Sequence, residues 1–80
     1  MPLVRFYAAA RDAAGAREAE VDATTSAELV TELATRFGAP MERVLKVASL
    51  LVDGRTVSPG EEVSLPVGAA VDVLPPFAGG

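Results

Sequence analysis

The sequence contains no cysteine and no histidine. Those two absences remove disulfide staples, thiol nucleophiles, imidazole bases and the usual zinc ligands together. Lysine is nearly missing as well, since Lys46 stands alone, which argues against chemistry that builds branched chains on lysine side chains. No apolar run approaches the length of a bilayer-spanning helix, and the N-terminus lacks the basic, apolar and small-residue succession of a secretory signal. The expected setting is therefore cytoplasmic, with no membrane. The formal charge of -4 repels phosphate backbones, so nucleic acid is not an expected partner and a basic protein surface is favoured. No side chain here has the chemistry of a tuned acid or base. A metal site is not expected, and any catalysis is expected to come from partners.

What is present is one small domain. Half of the 80 residues are apolar, which places the core near the lower limit for unaided folding. Residues 3–8 alternate Leu3, Arg5, Tyr7 against Val4, Phe6, Ala8, the period of a strand with its second set facing the core. The stretch Arg11 to Gly15 reads as a turn, and residues 16–22 as a polar edge strand paired with the first. Thr25-Ser26-Ala27-Glu28 has capping-box spacing, with the Thr25 hydroxyl set for the Glu28 amide and the Glu28 carboxylate for the Thr25 amide. The main helix follows, with Val30, Leu33, Ala34 and Phe37 as its apolar stripe and Glu32 and Arg36 able to pair outside it. Gly38 and Pro40 end that helix. Residues 41–46 suggest one or two further helical turns laid on the core by Met41, Val44 and Leu45.

Residues 47–52 return to aliphatic and β-branched character, and Asp53-Gly54 directly after them signals a hairpin with Arg55-Thr56-Val57. Pro59-Gly60 and Pro66-Val67-Gly68 mark two more turns. Residues 70–74 form the last strand, with Val71 and Val73 on one face and Asp72 and Leu74 on the other. The fold class is α+β, a mixed sheet in the order ββαβββ with one main helix on one face, the β-grasp arrangement of ubiquitin.

The end of the chain carries the functional signal. Residues 1–74 read as the β-grasp domain and 75–80 as a flexible tail, Pro75-Pro76-Phe77-Ala78-Gly79-Gly80. Two prolines fix φ and lack amide protons, so they make a stiff stem that ends the last strand. Gly79 and Gly80 have no Cβ and can pass through a channel too narrow for side chains, presenting a bare carboxylate. A carboxylate displayed in this way can be captured or activated by a partner. If Phe6 and Val73 face the helix, Tyr7 and Leu74 lie on the opposite face beside Arg5 and Asp72. Leu51 can join them, Phe77 is a further apolar anchor, and Arg11 a possible ionic contact at the rim. The competing reading is scattered surface apolar residues, or a flipped register that buries Tyr7.

The opening VRFYAAARDAAG, the helix TSAELVTELATRFG, the hairpin LLVDGRTV and the ending VDVLPPFAGG together resemble the MoaD/ThiS family of ubiquitin-like sulfur carriers, most of all the molybdopterin synthase small (sulfur-carrier) subunit. The resemblance implies a protein that binds no cofactor of its own and is modified at its end. A ubiquitin-activating-like adenylyltransferase would use ATP to adenylate the Gly80 carboxylate, and sulfur from a donor protein would then give a thiocarboxylate. The tail would enter the molybdopterin synthase large subunit and give up that sulfur to cyclic pyranopterin monophosphate. A carboxylate is a poor electrophile, and a mixed anhydride with AMP supplies the leaving group such chemistry needs. One departure stands out. The family commonly has an acidic Asp-Gly-Asp-type turn before the last strand, where this chain has Pro66-Val67-Gly68-Ala69-Ala70. Two alternatives remain open: a sulfur carrier for thiamine thiazole or cysteine synthesis, and a ubiquitin-like protein modifier or interaction module.

Overall fold

The computed structural model describes residues 1–57 and 61–76. Its elements run β1 (Leu3–Phe6), α1 (Ala9–Ala14), β2 (Glu18–Glu20), α2 (Ser26–Phe37), α3 (Ala39–Val47), β3 (Ser49–Val52), β4 (Arg55–Val57) and β5 (Ala70–Leu74). The strands keep the expected ββ, helix, βββ succession and form one mixed sheet in the spatial order β2-β1-β5-β3-β4. β1 and β5 are parallel, and the other three pairings are antiparallel. The last strand is thus the central one. Such a strand has both edges hydrogen-bonded and must be apolar on its inner face, which Val71 and Val73 satisfy at 0% exposure.

Strand alternation sorts the residues as the sequence implies. Val4 and Phe6 of β1, Val52 of β3, Val57 of β4 and Val71 and Val73 of β5 point to the core, where they meet Leu29 and Leu33 of α2 and Met41 of α3. Phe6 and Phe37 meet edge to face with ring centroids 5.6 Å apart, a geometry that adds to their burial. The polar β2 lies at the sheet edge, as expected, though it is shorter than residues 16–22 suggested.

Several expectations need correction. Residues 11–15 do not make a turn: α1 covers Ala9–Ala14 and ends on Gly15 in the left-handed region, φ 67. The run Ala9-Ala10-Arg11-Asp12-Ala13-Ala14 has high helix propensity but is too short to show a period. It is held because Ala10 is buried and Ala13 and Ala14 pack on the core. The buried stripe of α2 is Ser26, Leu29 and Leu33, whereas Val30, Ala34 and Phe37 flank it half-buried. α3 is longer than two turns and takes in both Pro40, in its first turn, and Val47, which its β-branched neighbourhood assigns to the strand. The main helix therefore has two companions. The Pro59-Gly60 turn falls outside the described residues.

Two local devices fix the frame. Asp53 and Gly54 both have positive φ, 49° and 84°, the requirement of a two-residue hairpin turn that matches strand twist. That turn is clipped to β5, because Asp53 N donates to Ala70 O at 2.8 Å and the Asp53 carboxylate accepts from Ala70 N at 2.9 Å. At α2, the Glu28 amide donates to Thr25 Oγ1 at 3.2 Å, as the capping box requires. The Glu28 carboxylate reaches one residue further back than expected, accepting from the Thr24 amide at 2.8 Å and the Thr24 hydroxyl at 2.7 Å. Ser26, buried at the start of α2, accepts from Val63 N at 2.9 Å and ties the 61–65 segment to the helix.

The cap gives a stability prediction. Thr25→Ala removes one acceptor for an orphan helix amide and is expected to cost about 1 kcal/mol. The hydrogen bonds from Thr24 hold the Glu28 carboxyl below its ordinary value. A lowered carboxyl contributes stability above its unfolded value and loses it as pH falls through the folded one. The stability lead of wild type over Glu28→Gln, measured by urea denaturation, should be full at pH 7 and shrink as the solution is acidified below about pH 4. A lead that grows on acidification would contradict the assignment.

Candidate functional site

β5 ends at Leu74 because the next two residues are prolines, which cannot donate to a ladder. Pro75 and Pro76 are exposed. They leave the sheet from its middle rather than from an edge, at the end where β1 runs into α1 and α3 runs into β3. Tyr7 N donates to Val73 O at 3.2 Å, which extends the parallel β1–β5 pairing by one bond to the root of the stem. Tyr7, Leu74, Pro75 and Pro76, together with Val44 and Val47 of α3 and the start of α1, enclose an apolar pocket of about 100 Å³.

The chain enters α1 through Ala8, at φ 52 and ψ -124. That conformation suits glycine and strains a residue with a Cβ. Ala8 is exposed and forms part of the same pocket wall.

On the sheet face away from the helices, register places Leu51 opposite Asp72 and Ser49 opposite Leu74. Arg5 lies opposite the same Asp72 on the other side. Arg5 grips Asp72 with two nitrogens, Nε to Oδ1 at 2.6 Å and Nη2 to Oδ2 at 3.1 Å. The hydrogen bond to Asp72, and secondarily its charge, hold the Arg5 guanidinium proton more firmly than usual. This two-pronged pair joins the parallel strands three residues before the stem. Such a partly exposed pair acts through geometry more than through net stability.

The sequence-derived candidates separate into four groups. Tyr7, Leu74, Pro75 and Pro76 come together around one pocket. Leu51 is half-buried on the outer face, diagonal to Leu74 across the β3–β5 pair. Arg11 is exposed on α1 and is not among the pocket's walls. Phe77, Ala78, Gly79 and Gly80 lie outside the described residues. The flipped register is excluded, because Val4 and Phe6 are the buried members of β1. What sequence reasoning missed is the contribution of α3. Val44 and Val47 are three residues apart, a helical spacing that signals a shared face once residues 39–47 are taken as one helix rather than helix and strand. Among the described residues no helix is long and apolar enough to cross a membrane.

Solved structures with this fold are ubiquitin-like proteins. The small archaeal modifier protein 1 of Methanosarcina acetivorans superposes with a TM-score of 0.79 at 20% identity, covering 99% of this chain and 95% of that one. A chain of the BexX/CysO complex of Amycolatopsis orientalis gives 0.80 at 21% identity, with 100% of each chain covered. The putative molybdopterin converting factor, subunit 1, of Pyrococcus furiosus gives 0.72 at 26% identity, covering 95% of this chain and 97% of that one. The fold is accordingly a ubiquitin-like β-grasp. No curated protein matches the chain in sequence. The profile of the ThiS family matches residues 4–80. That match runs from β1 through the proline stem to Gly80, and the chain therefore belongs to the ThiS family, among the ubiquitin-like sulfur carriers and modifiers.

Proposed function

We propose that the protein is the sulfur carrier of molybdopterin biosynthesis, with Gly80 as the residue that is adenylated and converted to a thiocarboxylate. The observation that carries this reading is the continuity of the family match through Pro75 and Pro76 to Gly80, on a stem rooted in the central strand. The choice of pathway is supported by the likeness to the Pyrococcus furiosus putative molybdopterin converting factor, subunit 1. Residues 1–74 serve as the rigid body and 75–80 as the delivered tail.

The chemistry follows from what the chain lacks. A Gly80 carboxylate oxygen attacks the α-phosphorus of ATP, bound to a ubiquitin-activating-like adenylyltransferase, and pyrophosphate leaves. Sulfide-level sulfur from a donor protein then displaces AMP and leaves a thiocarboxylate. With no cysteine or histidine, this chain supplies no acid or base to either step, and binds no cofactor for them. Its contribution is position. The tail enters the molybdopterin synthase large subunit, and holding the sulfur against the acceptor carbon of cyclic pyranopterin monophosphate supplies the effective molarity for transfer. Tyr7, Leu74, Leu51 and Phe77 are the apolar contacts that seat the body on its partner, with Arg11 at the rim.

A second reading is a carrier for cysteine or thiamine thiazole synthesis. The likeness to the chain in the BexX/CysO complex is as extensive on fold and selects no pathway. The two readings share the tail and its thiocarboxylate, and differ only in the acceptor.

Incubation with an adenylyltransferase, ATP and a sulfur donor should replace one oxygen of Gly80 by sulfur, as seen by intact-mass spectrometry. Deletion of Gly80 should abolish the change while leaving the melting curve intact. Mass unchanged with every candidate activating enzyme would remove the carrier reading. Thiocarboxylated protein should then yield molybdopterin with the synthase large subunit and cyclic pyranopterin monophosphate. Productive transfer only to a thiazole or cysteine synthase would select the second reading. Tyr7→Glu or Leu74→Glu should weaken binding to the large subunit by about 2 kcal/mol, read by titration calorimetry on folded protein. Replacing both Pro75 and Pro76 by Gly should leave thiocarboxylation nearly unchanged but slow transfer, because each freed residue costs about 1 to 2 kcal/mol to order.

A further inference from the structure

β2 lies at the end of the sheet, and the chemistry of its open side is set by the ladder on its closed side. Phe6 N donates to Arg17 O at 2.8 Å and Val21 N to Pro2 O at 3.0 Å, with Val4 opposite Ala19 between them. In an antiparallel pair, hydrogen-bonded positions of this kind alternate with positions whose main-chain groups point the other way. Arg17, Ala19 and Val21 therefore face β1, and Glu18 and Glu20 turn their amides and carbonyls out of the sheet edge. Such an edge is a template for another strand. A second copy of this chain carries the same edge and can supply that strand.

Two features of the chain oppose that pairing. The first is Arg36, in the last turn of α2. Its Nη1 donates to the outward carbonyl oxygen of Glu20 at 3.1 Å, across 16 positions of sequence. The guanidinium is steadied from two further directions: Nη2 lies 3.9 Å from Glu32 Oε1, one helical turn back, and Cζ lies 5.8 Å from the centroid of the Phe37 ring. Phe37 in turn meets the buried Phe6 edge to face, so an exposed arginine is tied to the core. The second feature is charge. Glu18 and Glu20 are exposed and share the outer face of β2, opposite Arg5 and Leu3. When two copies meet antiparallel, Glu18 of each pairs with Glu20 of the other. Each pair then needs a Glu20 carbonyl that Arg36 already occupies, and sets two carboxylates directly opposite one another, which is destabilising. Slipping the register to place Glu18 against Glu18 avoids the capped carbonyl, but keeps a single pair within the strand and still opposes two carboxylates.

We propose that Arg36 is a built-in edge cap: by occupying the Glu20 carbonyl it keeps β2 from pairing with β2 of a second copy, and the Glu18 and Glu20 carboxylates add a second, salt-sensitive barrier. The proposal concerns self-assembly and does not rest on the carrier reading. β1 stands between β2 and β5 in the sheet, so pairing of two copies at β2 leaves both ladders of β5 in place. Loss of the cap therefore changes the oligomeric state and not the root of the stem.

Sedimentation equilibrium separates the two barriers, because screening to about 3 Å in 1 M salt removes most of the carboxylate repulsion and leaves the cap in place. Wild type should sediment as a monomer at low and at high salt. Arg36→Met keeps an unbranched side chain over Phe37 but has no donor, and at high salt it should self-associate at least about tenfold more tightly than wild type. Arg36→Ala, which has no side chain able to reach β2, should do the same, and circular dichroism should show both variants folded. Adding Glu18→Gln and Glu20→Gln to Arg36→Met should bring the association at low salt, whereas those two changes with Arg36 intact should leave the protein monomeric. In the associated variants the Glu18 and Glu20 amides should become protected from hydrogen exchange, while those of β4, at the other edge, stay unchanged. Monomeric Arg36→Met and Arg36→Ala at high salt, a wild type that associates as tightly as either, or association that leaves the Glu18 and Glu20 amides unprotected would each overturn the cap. Association of the two glutamine changes with Arg36 intact, as tight as that of the triple variant, would overturn it as well. The carrier reading is decided separately, by thiocarboxylation of Gly80.

Discussion

The structure depends on β5 being both the last strand of the chain and the central strand of the sheet. Parallel pairing to β1 and antiparallel pairing to β3 satisfy both of its edges, and Val71 and Val73 are sealed beneath the helices. A terminal strand at a sheet edge frays, because it can peel off one ladder at a time. A central one cannot leave without breaking two. The stem is therefore rooted in a strand bonded on both edges, and the ladder stops where Pro75 removes the next donor. The Asp53 turn and the Arg5–Asp72 pair both act on this strand, the first at its start and the second at its middle.

That arrangement separates holding from reacting. With no cysteine and no histidine, the sequence offers neither a thiol nucleophile nor an imidazole base. On the proposed reading the body's work is to display the stem and to offer surfaces that a partner recognises. The surfaces at the root are small and apolar, with Tyr7 and Leu74 half-buried against one another and Val44 and Val47 across from them. The acidic net charge of -4 adds a long-range bias toward basic partners without specifying contacts.

Much of the frame was legible because it is written in short-range chemistry. Alternation placed Val4, Phe6, Val71 and Val73 inward, Asp53-Gly54 named its hairpin, and Thr25 with Glu28 marked the start of α2. Each rests on a period or a turn that local backbone physics enforces. The errors arose where tertiary contacts overrode a local signal. Ala9 to Ala14 looked like a turn because six residues are too few to show a period, and they are helical because the core accepts Ala10. Val47 looked like strand because it is β-branched, yet α3 carries on through it and turns only at Ala48. The Glu28 carboxylate accepts from Thr24, one residue before the amide the capping box predicts, while the Glu28 amide keeps its bond to Thr25, a difference set by how the loop enters the helix.

The sequence by itself determined the class of fold, the order of the strands along the chain, and two prolines leading to Gly80 in a chain without cysteine or histidine. Those properties follow from residue type and spacing, which tertiary contacts do not alter. Only the tertiary structure decided that β5 lies between β1 and β3, that Arg5 finds Asp72 across 67 positions of sequence, and that α1 and α3 meet beside the stem. Strand order in a sheet and contact between distant helices depend on how the whole apolar surface is shared out at once, and no local pattern encodes that.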